Sequence, residues 1–123
     1  MTTRSPHVIL IVEHDRYLKL LTSDIMEDAG FVALQASDAD EAIAILESRR
    51  DIALLLTSVT MPGGMDGVRL AHTVRKRWPA IKTIIASGQV GLMGSDLTAG
   101  SRFFLKPYDA QTMISEIRSL IGP

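Results

Sequence analysis

The sequence contains no cysteine, and its 13 basic and 14 acidic residues leave a formal net charge of only -1. The lack of cysteine excludes disulfides, thiolate metal sites and cysteine nucleophiles. A near-neutral chain has neither the basic surface that binds nucleic acid nor a polybasic membrane patch, so we expect neither partner. The longest purely aliphatic runs, VILIV and LLL, are too short to span a bilayer, and the N-terminal MTTRSPH lacks the apolar region of a signal peptide. These absences predict a cytoplasmic protein.

The length and composition are those of a small globular protein. Of the 123 residues, 46% are hydrophobic and 22% are charged, which is typical of a folded chain. The length predicts one domain over residues 1–123 that can bury a core of its own. The initial methionine and the IGP ending fit a complete short protein, and we expect no further domain.

Apolar segments and amphipathic segments alternate along the chain. Buried strands are predicted at 7–12, 31–36, 52–57, 81–86 and 102–105. Helices are predicted from DRYLKLLTSDIMEDAG, SDADEAIAILESRR, DGVRLAHTVRKRW and DAQTMISEIRSLI, with an Asp38–Glu41 capping box in the second and Asp109 as the N-cap of the last. In the first helix, Leu18, Leu21, Ile25 and Met26 fall on one face. The segment SGQVGLMGSDLTAGS contains four glycines, so any helix there should be short or irregular.

This alternation predicts an α/β fold with a five-stranded parallel sheet and helices on both of its faces. Ligands of such sheets bind beyond the carboxyl ends of the strands. The polar residues at those ends come from distant parts of the sequence and should share one rim. They are Glu13, His14 and Asp15 after the first strand, Ser58 at the third, Ser87 at the fourth, and Lys106 with Pro107 after the fifth.

The motifs MPGGMDG (61–67), IIASG (84–88) and FFLKPY (103–108), in this order and spacing, make the chain resemble the receiver domain of bacterial two-component response regulators. The resemblance covers essentially the whole chain. It implies a flavodoxin-like, doubly wound (βα)5 fold and a role in phosphorelay signal transduction. It also implies a protein partner, either a histidine kinase or another signalling protein.

The resemblance also assigns roles to positions around the acceptor. In the family, an acidic pair after the first strand holds Mg²⁺; Glu13 and His14 occupy those positions. An aspartate at the end of the third strand accepts the phosphoryl group, and here that position is Ser58. The backbone carbonyl two residues later, on Thr60, is also a metal ligand in the family.

The remaining family positions lie after the fourth strand and around the fifth. A hydroxyl residue that bonds the phosphoryl group corresponds to Ser87. The lysine that pairs with the phosphate, followed by a proline that is typically cis, corresponds to Lys106 and Pro107. A switch aromatic in the fifth strand corresponds to Phe103.

Two departures from the family fall on the chemistry. Mg²⁺ prefers carboxylate oxygens, but Glu13 faces Lys106 without the two other acids of the family pattern, so we expect weak or absent Mg²⁺ binding and no cofactor. A carboxylate forms an acyl phosphate readily, whereas the hydroxyl of Ser58 must first lose a proton and would give a much more stable ester. These changes predict a pseudo-receiver that does not accept a phosphoryl group at Ser58 and acts through protein–protein contact.

The sequence allows several alternative functions. Ser58 could be phosphorylated by a serine/threonine kinase, or Ser58, Ser87, Lys106 and a protonated His14 could bind a small anion such as phosphate. A hydrolytic Ser58 with His14 or Lys106 as its partner lacks both an orienting third group and a GxSxG elbow, so no enzyme is predicted. The chain could also be one domain of a larger hybrid kinase. We expect a monomer or a weak dimer.

Overall fold

A computed structural model describes residues 6–60, 65–87 and 101–122. In these ranges the chain forms five strands and four helices. The strands are β1 (Val8–Val12), β2 (Val32–Ala36), β3 (Ile52–Ser58), β4 (Lys82–Ser87) and β5 (Arg102–Leu105). The helices are α1 (Arg16–Asp28), α2 (Ala39–Ser48), α3 (Gly67–Arg77) and α4 (Ala110–Ile121). No helix in these ranges is both long enough and apolar enough to cross a membrane.

The five strands form one parallel sheet in the order β2-β1-β3-β4-β5. This is the flavodoxin-like order of doubly wound folds, so the predicted fold class is confirmed. The predicted strand ends agree with the observed ones to within one residue. The expected short or irregular helix before β5 falls in 88–100, outside the described residues.

Alternating strand residues are buried on both faces of the sheet. On one face of the sheet, Ile9, Ile11 and Leu56 pack with Met26 of α1 and Ile117 of α4. On the other face, side chains of β1 and β3 pack with α2 and α3. Strands buried on both sides explain the continuous apolar runs in the sequence.

An aspartate begins each of the four helices. The side chains of Asp15, Asp38, Asp66 and Asp109 each accept a hydrogen bond from the backbone N–H three residues later, which satisfies a donor of the first turn. The N-caps predicted at Asp38 and Asp109 are therefore confirmed. In the predicted capping box, however, the Glu41 carboxylate accepts from the N–H of Ser37, one residue before Asp38.

The core covers only part of the apolar face of α1. Met26 is fully buried and Ile25 packs against the core, but Leu18 and Leu21 on the same stripe are exposed. The stripe continues past the edge of the core toward the rim. This half of the helix therefore presents an apolar surface that the described chain does not cover.

Gly67 permits the close approach of α3 to the end of β3. A Cβ at this position would lie 1.8 Å from the carbonyl oxygen of Ser58, while the N–H of Gly67 donates to the carbonyl of Val59 at 2.8 Å. Separating the two backbones to make room for a Cβ would stretch this hydrogen bond. The glycine is therefore required by space, not by an unusual backbone angle.

We expect Gly67→Ala to lower the free energy of unfolding by about 3 kcal/mol, because overpacking against backbone cannot relax through a side chain. Urea denaturation measures this. Gly30→Ala is the comparison: its added Cβ meets no atom within 4 Å, and its positive φ alone should cost about 1 to 2 kcal/mol. Equal losses in the two variants would contradict the steric explanation.

Candidate functional site

Side chains from three strand ends meet in one hydrogen-bonded network. The ammonium group of Lys106 donates to Oε1 of Glu13 at 2.8 Å and to Oγ of Ser58 at 2.7 Å. The Ser58 hydroxyl in turn donates to the same Oε1 of Glu13. The hydroxyl thus both donates and accepts inside the network. We call these three residues the closed triad.

The backbone holds each member of the closed triad in place. The second carboxylate oxygen of Glu13 accepts from the N–H of Asp15 at 3.0 Å, and the N–H of Lys106 donates to the carbonyl of Ser87 at 2.7 Å. Ser58 pairs in register with Ala86 of β4. The positions of the three side chains therefore follow from the sheet and from the start of α1.

Burial and hydrogen bonding have opposite effects on the pKa of Glu13. Its side chain is 8% exposed and that of Lys106 is 27% exposed, and Ser58 is 6% exposed. Burial by itself would raise the pKa of the Glu13 carboxyl. The hydrogen bonds from Lys106, Ser58 and the Asp15 N–H outweigh burial and hold this pKa below its ordinary value. Glu13 is therefore an ionised carboxylate at neutral pH, paired with Lys106.

Most of the predicted site residues line one cleft, and two lie outside it. The cleft has a volume of about 340 Å³ and is lined by Glu13, His14, Ser58, Thr60, Ser87 and Lys106. We call it the acceptor cleft. His14 lies at its exposed edge, with Nδ1 3.5 Å from Oε2 of Glu13. Pro107 follows Lys106 through a cis peptide bond and faces a neighbouring cleft. Phe103 packs on Val59, Ala71 and Ile85 outside the acceptor cleft.

The side chains of the acceptor cleft do not fit Mg²⁺. One carboxylate oxygen of Glu13 already accepts from Lys106 and Ser58, and the other accepts from the Asp15 N–H. The Asp15 carboxylate is itself the N-cap of α1. Within the described residues, no three His, Asp or Glu side chains are grouped so that they could hold a metal ion. A hard cation that needs several free oxygen ligands has no such set here.

The same contacts bear on the two other chemistries considered for Ser58. An anion would have to displace Glu13 from Lys106, because the carboxylate already compensates the charge of that ammonium group. A Ser58 nucleophile would need a free base to take its proton, whereas its hydroxyl already bonds to the ionised Glu13 and to Lys106. The closed triad thus disfavours both an anion site and a hydrolytic site.

Three contacts near the site were not predicted from the sequence. The Asp15 N–H supports Glu13, Gly67 admits the Ser58 carbonyl, and Tyr108 packs edge-to-face on Phe104 with ring centroids 5.9 Å apart. The position of Asp15 just before the apolar stripe of α1 is an N-cap signal, from which the start of the helix beside Glu13 could have been predicted. The other two depend on tertiary packing and leave no local signal.

The fold and the site together define a small α/β domain with an acceptor-type cleft whose central residues bond to one another. The model of the response regulator receiver domain family matches residues 9–118. The chain belongs to the response regulator receiver domain family.

Relatives with assigned roles are regulatory proteins much longer than this chain. It is 30% identical over 112 residues to the nitrogen assimilation regulatory protein NtrX of Azorhizobium caulinodans, covering 88% of this chain and 24% of that protein. It is 25% identical over 113 residues to the transcriptional regulatory protein CpxR of Escherichia coli, covering 92% and 48% respectively. The chain thus spans between about a quarter and a half of these two relatives.

Solved structures support the same assignment. The CheY-like receiver domain protein of Methanospirillum hungatei superposes with a TM-score of 0.85 at 29% identity, covering 94% of this chain and 93% of that one. The response regulator receiver protein of Sinorhizobium medicae gives a TM-score of 0.87 at 25% identity, covering 94% of each chain. The protein is therefore a receiver domain of two-component signalling, as the motifs predicted.

The lowered pKa of Glu13 makes stability depend on pH. A carboxyl whose pKa is lower in the folded than in the unfolded state stabilises the protein above the unfolded value, near 4.3 for glutamate. That stabilisation is lost as the pH falls from there through the folded pKa. We expect the free energy of unfolding, measured by urea denaturation, to fall over this acidic range.

Glu13→Gln should flatten that part of the profile, because glutamine does not titrate. It should also lower stability at neutral pH by about 1 kcal/mol, since a side chain with one acceptor oxygen cannot serve Lys106, Ser58 and the Asp15 N–H together. Glu47→Gln removes the same charge from an exposed ion pair with Arg77 and is the control. A Glu13→Gln profile as steep as that of the wild type would refute the assignment to Glu13.

Proposed function

We propose that this receiver domain is a pseudo-receiver, which does not accept a phosphoryl group by the family's route and signals by contact with another protein. The observation that carries the proposal is the closed triad. At the acceptor position Ser58 bonds to Glu13 and Lys106, so the side chains that would act on a phosphoryl group are engaged with one another.

The chemistry of the acceptor supports the same conclusion. A carboxylate is already the nucleophile when it attacks a phosphohistidine, whereas a serine hydroxyl needs a base to remove its proton. The group next to the Ser58 hydroxyl that could do so is Glu13, whose lowered pKa makes it a weak base. The lack of a suitable set of metal ligands among the described side chains removes the charge neutralisation that phosphoryl transfer requires. We propose that the domain is not an enzyme and needs no cofactor.

The outer surface of α1 supports a protein partner. Tyr17, Leu18, Leu20 and Leu21 are all exposed, and clustered apolar side chains on a surface mark interaction sites. We propose a histidine kinase or another signalling protein as the partner, with neither nucleic acid nor a membrane. We further propose a single cytoplasmic receiver unit over 1–123 that is a monomer or a weak dimer.

The alternative in which a serine/threonine kinase modifies Ser58 has less support. Protein kinases act on segments that reach their active site, whereas Ser58 is the last residue of a central strand and is 6% exposed. Its hydroxyl would have to leave both Glu13 and Lys106 before it could react. Phosphorylation there would require the end of β3 to open.

Incubation with acetyl phosphate and Mg²⁺, followed by intact mass spectrometry, tests the proposal. We expect no gain of a phosphoryl group. A labile adduct, lost on brief incubation at neutral pH, would overturn the pseudo-receiver assignment. A stable adduct mapped to Ser58 by peptide mass spectrometry would also overturn it, in favour of serine phosphorylation. An authentic receiver domain with its aspartate intact, labelled in parallel, confirms that the reagent is active.

A further inference from the structure

A second cleft opens beside the closed triad, between α1 and the segment that links β5 to α4. Its volume is about 390 Å³, which lies within the range of small-molecule pockets. Its walls are mostly apolar and include Leu18, Leu21 and Ile25 of α1, Leu56 of β3 and Pro107. We call it the apolar cleft. It is distinct from the acceptor cleft, although the two clefts share part of their walls, including Lys106 and Leu18.

The polar side chains that line the apolar cleft are those of Glu13, Thr22, Thr57, Ser58, Lys106 and Tyr108. Glu13, Ser58 and Lys106 reach it from the closed triad. A lysine ammonium has three N–H donors, and within the described part of the chain Glu13 and Ser58 accept two of them. The third is available to an acceptor that enters from the cleft, which the 27% exposure of the Lys106 side chain permits.

The charges around this donor compensate one another. Lys106 and Glu13 form an ion pair at 2.8 Å. Burial raises the pKa of the Tyr108 hydroxyl above its ordinary value, partly opposed by a hydrogen bond with Thr22, so this group is neutral at neutral pH. Of the described side chains that line the cleft, only Glu13 and Lys106 carry charge. An ionised ligand would lose its hydration without gaining an unpaired counter-charge.

We propose that the apolar cleft binds a small uncharged molecule with an apolar body and one carbonyl-type oxygen, which accepts a hydrogen bond from Lys106. The apolar body lies against Leu21, Ile25 and Leu56. This binding goes beyond the proposed function. It uses the third N–H donor of Lys106, which Glu13 and Ser58 do not accept, and it needs neither a phosphoryl group nor a protein partner. Ketones, esters and amides have this chemistry.

The test is a titration of the ¹⁵N-labelled full chain with 4-phenyl-2-butanone, followed by amide chemical shifts. We expect saturable shifts at millimolar ligand at Leu21, Thr22, Lys106 and Tyr108. The comparison ligands are 2-butanone, which has the oxygen without the apolar body, and 4-phenylbutyrate, which has the body with an ionised head. Both should bind more weakly than the ketone 4-phenyl-2-butanone.

The chain offers a matched pair of variants. Leu20 and Leu21 are adjacent on α1 and similarly exposed, at 48% and 43%, but only Leu21 lines the cleft. Leu21→Gln should weaken binding of 4-phenyl-2-butanone about fivefold through lost apolar contact, and Leu20→Gln should leave it unchanged. Glutamine keeps the helix propensity of leucine, so both variants should fold, and their own spectra report whether they do.

Three results would overturn the proposal. The first is an absence of saturable shifts in the cleft. The second is an equal loss of binding in both leucine variants, which would indicate adsorption to the exposed surface of α1. The third is tighter binding of 4-phenylbutyrate than of 4-phenyl-2-butanone, which would show an anion-selective site. None of these results alters the expected outcome of labelling with acetyl phosphate, so the two proposals fail independently.

Discussion

The double variant Ser58→Asp, His14→Asp should gain a phosphoryl group from acetyl phosphate in the presence of Mg²⁺. The substitution at position 58 restores a nucleophile that needs no deprotonation, and the one at position 14 restores an oxygen ligand beside Glu13. With three carboxylates facing Lys106, Mg²⁺ binding becomes favourable and separates Glu13 from the ammonium group. Intact mass spectrometry measures the gain, and the adduct should be labile, as expected of an acyl phosphate.

The two single variants are the controls for the double variant. Ser58→Asp should label less than the double variant, because loss of even an outer-shell partner of a metal site costs about 10-fold or more in metal affinity. Without Mg²⁺ it should also be destabilised, since a second carboxylate would stand in place of the hydroxyl that donates to Glu13. His14→Asp should not label. An inert double variant would contradict the view that the rest of the cleft has kept the family's geometry.

Lys106→Met should have the largest effect on stability in the site, a loss of about 3 kcal/mol at neutral pH, because it leaves the buried charge of Glu13 uncompensated. Glu13 is the more deeply buried partner, with its side chain 8% exposed. Glu13→Gln should cost less, because Lys106 is more exposed and water can solvate it. Urea denaturation of the two variants measures this asymmetry.

The deficit of Lys106→Met should also shrink as the pH falls. In the wild type the pKa of Glu13 is lowered by Lys106 among other donors, and without the lysine the effect of burial is opposed only by Ser58 and the Asp15 N–H. In the variant, protonation of Glu13 removes an uncompensated buried charge. In the wild type, protonation of Glu13 removes the charge that pairs with Lys106 and stabilises the fold. A deficit that is constant from neutral to acidic pH would contradict the pairing as the main role of Lys106.

The fold could be predicted from the sequence because its signals are local or periodic. Apolar β-branched runs such as Val8–Val12 are required by a sheet covered on both faces. The aspartates at 38, 66 and 109 occupy positions where a helix needs an acceptor at its N-terminus. The alternation of strands and helices then leaves few topologies, and the observed strand order is one of them.

The site could be predicted only in part. The sequence placed Glu13, Ser58 and Lys106 at one rim, and the structure shows Lys106 bonded to both of the other residues. It did not predict the bond from Ser58 to Glu13, since which donor a carboxylate accepts depends on side-chain geometry. It also placed Leu18 and Leu21 on one face of α1 without indicating where the core ends. The point along α1 where the core ends depends on how far the helix extends past the sheet. The periodicity of the sequence does not give that distance.

The central claim is that the acceptor position is closed by its own side chains, and beryllofluoride with Mg²⁺ tests it most directly. Beryllofluoride binds a carboxylate oxygen in the position that a phosphoryl group would take. We predict no change in the amide chemical shifts of Ser58, Val59 and Lys106 in the wild type, and clear changes in the double variant. Saturable shifts at these amides in the wild type would contradict the closed triad.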